Sequence, residues 1–376
     1  MVYRKEETPV KKILVIAPYN FLPWFSGGQK FIGLFLQHLG EEADLTVISV
    51  ASNDHNLVVN YKLLPWLKPG FSRYFDRSLI GKISELVKKE QYSAVVWEHP
   101  YMWWLASLIR KKTGVPAYIH THNIEYQRFK TMGKLWWPVL KFYEKKAFRE
   151  ADGLFFITPE DKAFAVNEWK VDPKKCRDLP YGIETENEPA DRQKSRELIA
   201  ARHGLDARDH LFSFNGLLSY KPNLEAVRHI VEDIDPLLEK AGMAYTILIC
   251  GKDLPEEMVN AIGKRSHIIY AGFTDQIDQY GKASDILLNP VMSGGGIKTK
   301  MVEAIGLGTT VVSTKSGATG MDPAICGNKL KIVADNDWQS FSDLVIREAN
   351  NKETTPASYY DHYNWKKIVK KIAEQL

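Results

Sequence analysis

Cysteine is scarce in this chain and nowhere clustered: Cys176, Cys250 and Cys326 are its only thiols. An odd number at such distances supplies neither a disulfide framework nor metal-binding spacing, and points to a reducing compartment. Long apolar runs are also missing. No stretch approaches the roughly 18 residues that a membrane-spanning helix needs. The opening MVYRKEETPVKK is charged and runs straight into ILVIAP. We therefore expect no signal peptide and no transmembrane helix. Two phosphate-binding signatures are absent as well. The first apolar run is followed by YNFLPWFSGGQK rather than G-x-G-x-x-G, which excludes the dehydrogenase fingerprint. In SGGGIKTK, Lys298 follows Ile297, so the Gly-Lys-Ser/Thr register of a Walker loop is not met.

What is present is a folded chain of 376 residues, 44% hydrophobic and 26% charged, long enough for two domains with real cores. Short β-branched runs alternate with helical patterns. The first series is ILVIAP, LTVISV, AVVWEH, PAYIHTH and GLFFIT; the second is HLFSFNG, AYTILICG, HIIYAG, DILLNP and TTVVST. Apolar strands alternating with helices indicate parallel sheets covered on both faces. The expected fold class is α/β, with two doubly wound Rossmann-like domains facing across a cleft. The polar segment 184–197, ETENEPADRQKSRE, reads as the linker between an N-terminal domain (1–183) and a C-terminal domain (198–355). A last helical stretch (356–376) is expected to return to the first domain. The net charge of +4 is uneven. Residues 1–180 carry 27 Lys+Arg against 19 Asp+Glu (+8), and the remainder 23 against 27 (−4). A basic half suits an anionic partner.

The most informative stretch is SGGGIKTKMVEAIGLG, residues 293–308. It follows a strand-like run and leads into a helix. A helix start with free N–H groups is an anion site, and glycines let a phosphate approach the backbone. Gly294, Gly295 and Gly296 form the loop, and Lys298 or Lys300 can add charge. Glu303 lies about 10 Å farther along the helix at about 1.5 Å per residue. A ribose diol could offer two hydrogen bonds there; the plainer alternative is a solvated helix glutamate. Earlier in the chain, Gly27 and Gly28 precede a helix and could approach a second phosphate, or form an ordinary cap. Tyr118, His120 and His122 share one face of a strand by its two-residue period. His122 falls at the carboxyl end and His120 lies deeper, where it should serve stability. A zinc pair of His120 and His122 with Glu125 lacks a convincing further ligand, so no metal is expected. Residues 130–150 mix six basic residues with Trp136, Trp137, Phe142, Tyr143 and Phe148. They read as core-filling aromatics or as a membrane-surface segment, as does LPWLKPGFSRYF (64–75).

PVMSGGGIKTKMVEAIGLGTTVVSTKSGATGM resembles the donor-site signature of retaining GT-B glycosyltransferases, the "glycosyl transferases group 1" family of bacterial polysaccharide and lipopolysaccharide enzymes. Similar family markers are KILVIAPYNFLPWFSGGQKFIGLFLQHLGEEADLTVIS, FYEKKAFREADGLFFITPEDK, LPYGIE, FNGLLSYKPNLEAVRHI and AGFTDQIDQYGKASDILLNP. The resemblance thus spans most of the chain. It implies transfer of a sugar from a nucleotide sugar, UDP-linked by family frequency, to a glycan or lipid-linked acceptor. Retention of configuration, front-face attack, no cofactor and no metal are part of the same implication. It implies donor contacts from Gly27, Gly28, Gly216, Lys221, Phe273, Gly294, Gly295, Gly296, Lys298 and Glu303, with His122 on the transferred sugar. Lys298 and His122 would be the catalytic pair, and Asn123 and Glu125 could reach sugar or acceptor.

Two family features are missing. The first of two glutamates eight positions apart is replaced by Gly295, and the Gly-Arg-Leu arginine is replaced in Gly216-Leu217-Leu218. These gaps keep a catalytically silent nucleotide-sugar-binding module as an alternative, and the fold itself keeps a nucleotide-sugar epimerase as another. The expected location is cytoplasmic, with contact to the inner, anionic membrane face, and no nucleic-acid partner.

Overall fold

The computed structural model describes residues 10–376. The chain forms two compact units: residues up to Pro180 together with Trp365–Leu376, and Tyr181–Asn364.

The first unit is built on a seven-stranded sheet. Its strands are β1 (Lys12–Ile16), β2 (Asp44–Val50), β3 (Lys62–Leu67), β4 (Ala94–Glu98), β5 (Ala117–Thr121), β6 (Gly153–Phe156) and β7 (Cys176–Asp178), in the order β3-β2-β1-β4-β5-β6-β7. Every pairing is parallel. The central strands β4 and β6 are buried along their whole length, because helices cover both faces of such a sheet. The strand order reverses between β1 and β4, and open α/β sheets bind ligands beyond the carboxyl ends of the strands at such a point.

The second unit holds β8 (His210–Asn215), β9 (Tyr245–Cys250), β10 (Ile268–Gly272), β11 (Ile286–Asn289), β12 (Thr310–Thr314) and β13 (Leu330–Val333). Their order, β10-β9-β8-β11-β12-β13, places the reversal between β8 and β11, again with all pairings parallel.

The end of the chain differs from a single helix over 356–376. Ala357–Tyr363 is a helix of the second unit, Asn364 is extended, and Trp365–Gln375 is a helix of the first unit. Trp365, Ile368, Val369 and Ile372 are buried, and the Trp365 ring lies 5.3 Å from Phe31 on the helix Gly27–Glu42. The sequence places a linker at 184–197, whereas these residues contact the second unit. Arg192, at the start of the helix Arg192–His203, donates to the carbonyls of Leu307 and Ser284, and Arg196 donates to that of Ala283. Charge made the segment look like a connection, but its arginines are spent on helix and strand ends.

Candidate active site

In the second unit the site is built at the β8/β11 reversal. The loop after β11 carries Gly294 at φ +86° and Gly296 at φ +69°, both in the left-handed region that glycine tolerates. A Cβ on Gly294 would also lie 3.2 Å from Pro222. The loop feeds the helix Thr299–Gly306, whose N-cap is Lys298. Glycines 294–296 thus lie immediately before a helix start, as the spacing predicts.

The lysines divide differently from expectation. Lys298 curls over its own loop and donates to the carbonyls of Gly296 (2.9 Å) and Gly294 (3.2 Å). Lys300 is half-buried. Its ammonium donates to Asn223 Oδ1 at 3.0 Å and stands 3.9 Å above the Phe214 ring. Burial, and then the neighbouring Lys298 charge, push Lys300 down to about 7. Lys300 lines a small pocket with Glu303, Ser213, Asn215 and Asp278. Sequence reasoning named Lys300 as a source of charge but centred the site on Lys298.

Glu303 accepts a 2.6 Å hydrogen bond from the Tyr181 hydroxyl, which is fully buried. Tyr181 was missed; it sits in LPYGIE, and only the fold brings it next to residue 303. Lys221 opens the helix Lys221–His229, is largely exposed and lies 3.7 Å from Glu225. Phe273 is exposed just after β10, and Gly216 directly follows β8.

In the first unit, Gly27 and Gly28 open the helix Gly27–Glu42. Its cap Ser26 accepts the N–H of Gln29, and a Cβ on Gly28 would meet nothing within 4 Å.

The histidines sit in a buried polar cluster at the ends of β4 and β5. Glu98, the last residue of β4, is paired in register with His120. Its carboxylate accepts from His122 Nε2 at 2.7 Å and from His120 Nδ1 at 3.1 Å. Burial works to raise the Glu98 carboxyl, but the His120 charge and the hydrogen bonds from His120 and His122 outweigh it and hold it well below the carboxylate range. Burial, and then His120, push His122 down, so its ring is neutral at pH 7. His99, at φ +65°, stacks on His122 with ring centroids 4.1 Å apart.

Glu125 accepts from Arg128 (3.0 Å), from Tyr101 and from Asn123 (3.3 Å), and lies 3.2 Å from His99. Burial works to raise it, yet His99 and then Arg128 hold it at about 2. A sequence-based zinc set paired the two histidines with Glu125; in the fold the carboxylate beside them is Glu98. Ligand atoms of Glu98, His120 and His122 lie within 4.8 Å of one another, close enough to share a cation, and they are joined by the hydrogen bonds just described.

The basic-aromatic segment divides between the two readings: Trp137, Tyr143 and Phe148 pack on or in the core, while Trp136 and Phe142 do not. Phe148 is fully buried on the helix Trp137–Glu150, whereas Leu135 (93% exposed), Trp136, Val139 and Phe142 (75%) face solvent. Phe71 and Phe75 are likewise exposed, at 74% and 66%. Both segments pack against one stretch of chain: Tyr143 donates to the Tyr101 carbonyl, and Trp104 Nε1 donates to that of Tyr74. No helix among the described residues is long and apolar enough to cross a membrane.

Comparison with known proteins gives these features a family. Residues 25–187 match the family described as Glycosyltransferase Family 4, and residues 209–351 match Glycosyl transferases group 1. The chain is 25% identical over 357 residues to the UDP-Gal:alpha-D-GlcNAc-diphosphoundecaprenol alpha-1,3-galactosyltransferase of Escherichia coli, covering 90% of this chain and 88% of that protein. Its fold is similar to that of a glycosyltransferase from Rickettsia africae (TM-score 0.72, 13% identity, 98% of each chain covered). It is also similar to Anabaena HepE solved with UDP and glucose (TM-score 0.70, 14% identity, 97% and 99% covered). The two family matches, in sequence order across two parallel Rossmann-like sheets, place this chain in the group 1, family 4 glycosyltransferases: it is a retaining, nucleotide-sugar-dependent enzyme of the GT-B fold.

Proposed function

We propose that this enzyme transfers a hexose from a UDP-sugar to a lipid-linked glycan acceptor at an anionic membrane surface. The observation that carries the donor half is the grouping at the β8/β11 reversal: a glycine-rich helix start, the lysine pair, and Glu303 farther along the same helix. In this reading Gly294, Gly295 and Gly296 with Lys298 and Lys300 take the diphosphate, and Glu303 takes the ribose. Gly216, Lys221 and Phe273 border the donor. In the first unit Gly27 and Gly28 offer backbone to phosphate, and His122 holds the transferred sugar. Asn123 and Glu125 act beside His122, Glu125 through its contacts with Tyr101, Arg128 and His99. The departing diphosphate needs fixed positive charge and helix-end dipoles, which these groups supply. The UDP-sugar donor and the lipid-linked acceptor rest on the galactosyltransferase relative, whose name states both.

The experiment that tests the sugar role is His122→Ala. UDP affinity by calorimetry should change little, while turnover of UDP-hexose falls at least about tenfold, or roughly 1.4 kcal/mol of barrier. A group that grips the sugar only as it flattens lowers the barrier without tightening ground-state binding. Normal turnover in a folded mutant sinks the assignment.

The acceptor side rests on the exposed apolar face. Leu135, Trp136, Val139 and Phe142 are interleaved with Lys134, Lys141, Lys145 and Lys146, a composition suited to the interface of anionic lipid. The protein should co-sediment with phosphatidylglycerol vesicles at low salt, and Phe142→Ser together with Val139→Ser should release most of it. Apolar burial at about 25 cal/mol per Å² makes each large side chain worth a kcal/mol or more. Equal sedimentation of the double variant removes this surface from the proposal.

A further inference from the structure

Glu98 is a carboxylate with 2% exposure at the end of a central strand, and both of its hydrogen-bond partners are imidazoles. Phe31 and Phe35 ring the same histidines, with centroids 5.1 Å from His120 and, for Phe31, 5.5 Å from His122. Desolvating an ionised carboxylate costs several kcal/mol, and a well-packed apolar residue would serve stability at least as well. The position therefore calls for something other than core filling.

An ionised carboxylate only accepts hydrogen bonds. At 2.7 Å from Glu98 Oε2, His122 Nε2 must carry the proton, which leaves Nδ1 of the neutral ring as a bare acceptor. His120 is held by the same carboxylate through its Nδ1, so Glu98 orders both rings at once. The stacked His99 ring, itself beside Glu125, limits tilting of His122.

We propose that Glu98 is a positioning residue that locks His122 in its Nε2-protonated tautomer, so that Nδ1 is the atom offered to a hydroxyl of the transferred sugar. The inference rests on the reading that His122 contacts that sugar. It adds which nitrogen makes the contact and which residue decides it.

The test uses the full chain with histidine-selective 15N labelling, the His122 signal being assigned by its loss in His122→Ala. Unliganded wild-type protein should show His122 protonated at Nε2 and bare at Nδ1. Glu98→Gln, whose amide can also donate to Nε2, should mix the tautomers. It should lower kcat with UDP-galactose about tenfold, in the range found when a partner orienting a functional histidine is lost, with donor KM changed less than about twofold. Glu98→Asp, which keeps the charge, should recover part of both. Protonation at Nδ1 in the wild type overturns the proposal, and does so even if the Gln variant fails to fold. Full kcat in a folded Glu98→Gln protein overturns it too. A fully active His122→Ala instead removes the sugar-contact reading beneath it, whereas an impaired His122→Ala beside a normal Glu98→Gln defeats the positioning role alone.

Discussion

Glu303→Ala is expected to weaken UDP binding by about 1.5–3 kcal/mol, the range for hydrogen bonds to a charged partner. That loss corresponds to an affinity change on the order of 10- to 150-fold. The carboxylate stands at the middle of the helix Thr299–Gly306 and lines the same pocket as Lys300. One oxygen is held by Tyr181 at 2.6 Å, which fixes the rotamer before any ligand arrives. A ribose diol then meets an acceptor already oriented. The alanine variant also takes from the buried Tyr181 hydroxyl the acceptor it has in the wild type. Some loss of melting temperature should accompany the binding defect. Glu303→Gln separates the two effects, because its amide oxygen can still accept from Tyr181. It should restore stability and recover only part of the affinity. Calorimetry on folded proteins decides: unchanged UDP affinity in Glu303→Ala removes the ribose role.

The second large effect belongs to Lys300. Lys300→Met should cut kcat/KM for the UDP-sugar about 100-fold, within the span of a lost donor to a developing charge. It should also change the pH dependence of UDP binding. The Lys300 ammonium is pushed down to about 7 in the free protein, and a bound diphosphate favours the charged form and so raises it. Binding therefore takes up a proton above pH 7. Affinity should fall as pH rises from about 7 to 9, by up to about tenfold per unit, since each unit is 1.36 kcal/mol of differential interaction. Below 7 the lysine is already charged, and this dependence vanishes. Lys298 beside it and Glu303, Asp278, Cys250 and Tyr280 in the same pocket are ionisable as well, and they remain in the variant. A flat pH profile in the wild type, or the same slope in Lys300→Met, contradicts the assignment. Lys298 should matter less, because three loop carbonyls already lie within reach of its ammonium.

The parallel sheets were legible because their strands are buried on both faces and leave uninterrupted apolar runs between helical stretches. The glycine loop and the placing of His122 were legible from spacing alone. The partners were not. Glu98 was in view inside AVVWEH, and an acid closing an apolar strand was a signal, but its meaning depends on register with β5. Tyr181 reaches Glu303 across 122 positions, which no local pattern encodes. Residues 130–150 were ambiguous for a different reason. One helical period places Leu140, Ala147 and Phe148 inward and Val139 and Phe142 outward, and an apolar stripe facing lipid has the same spacing as one facing a core. The break at Asn364 was hidden because Tyr363 and Trp365 are both buried, each in a different unit.

That break makes the second unit an insertion within the first. Its two ends are close neighbours: the Ile183 N–H donates to the Tyr363 carbonyl at 2.6 Å, and Ile183 bridges Asn364. A gene fragment spanning 181–364 would therefore encode one unbroken polypeptide with adjoining termini. The first unit can be produced alone only by splicing residue 180 to residue 365. Clipping the last dozen residues would strip Trp365 from Phe31 and bare the helix Gly27–Glu42, so a protease acting on the tail would be expected to damage the half of the molecule that contains Glu98, His120 and His122.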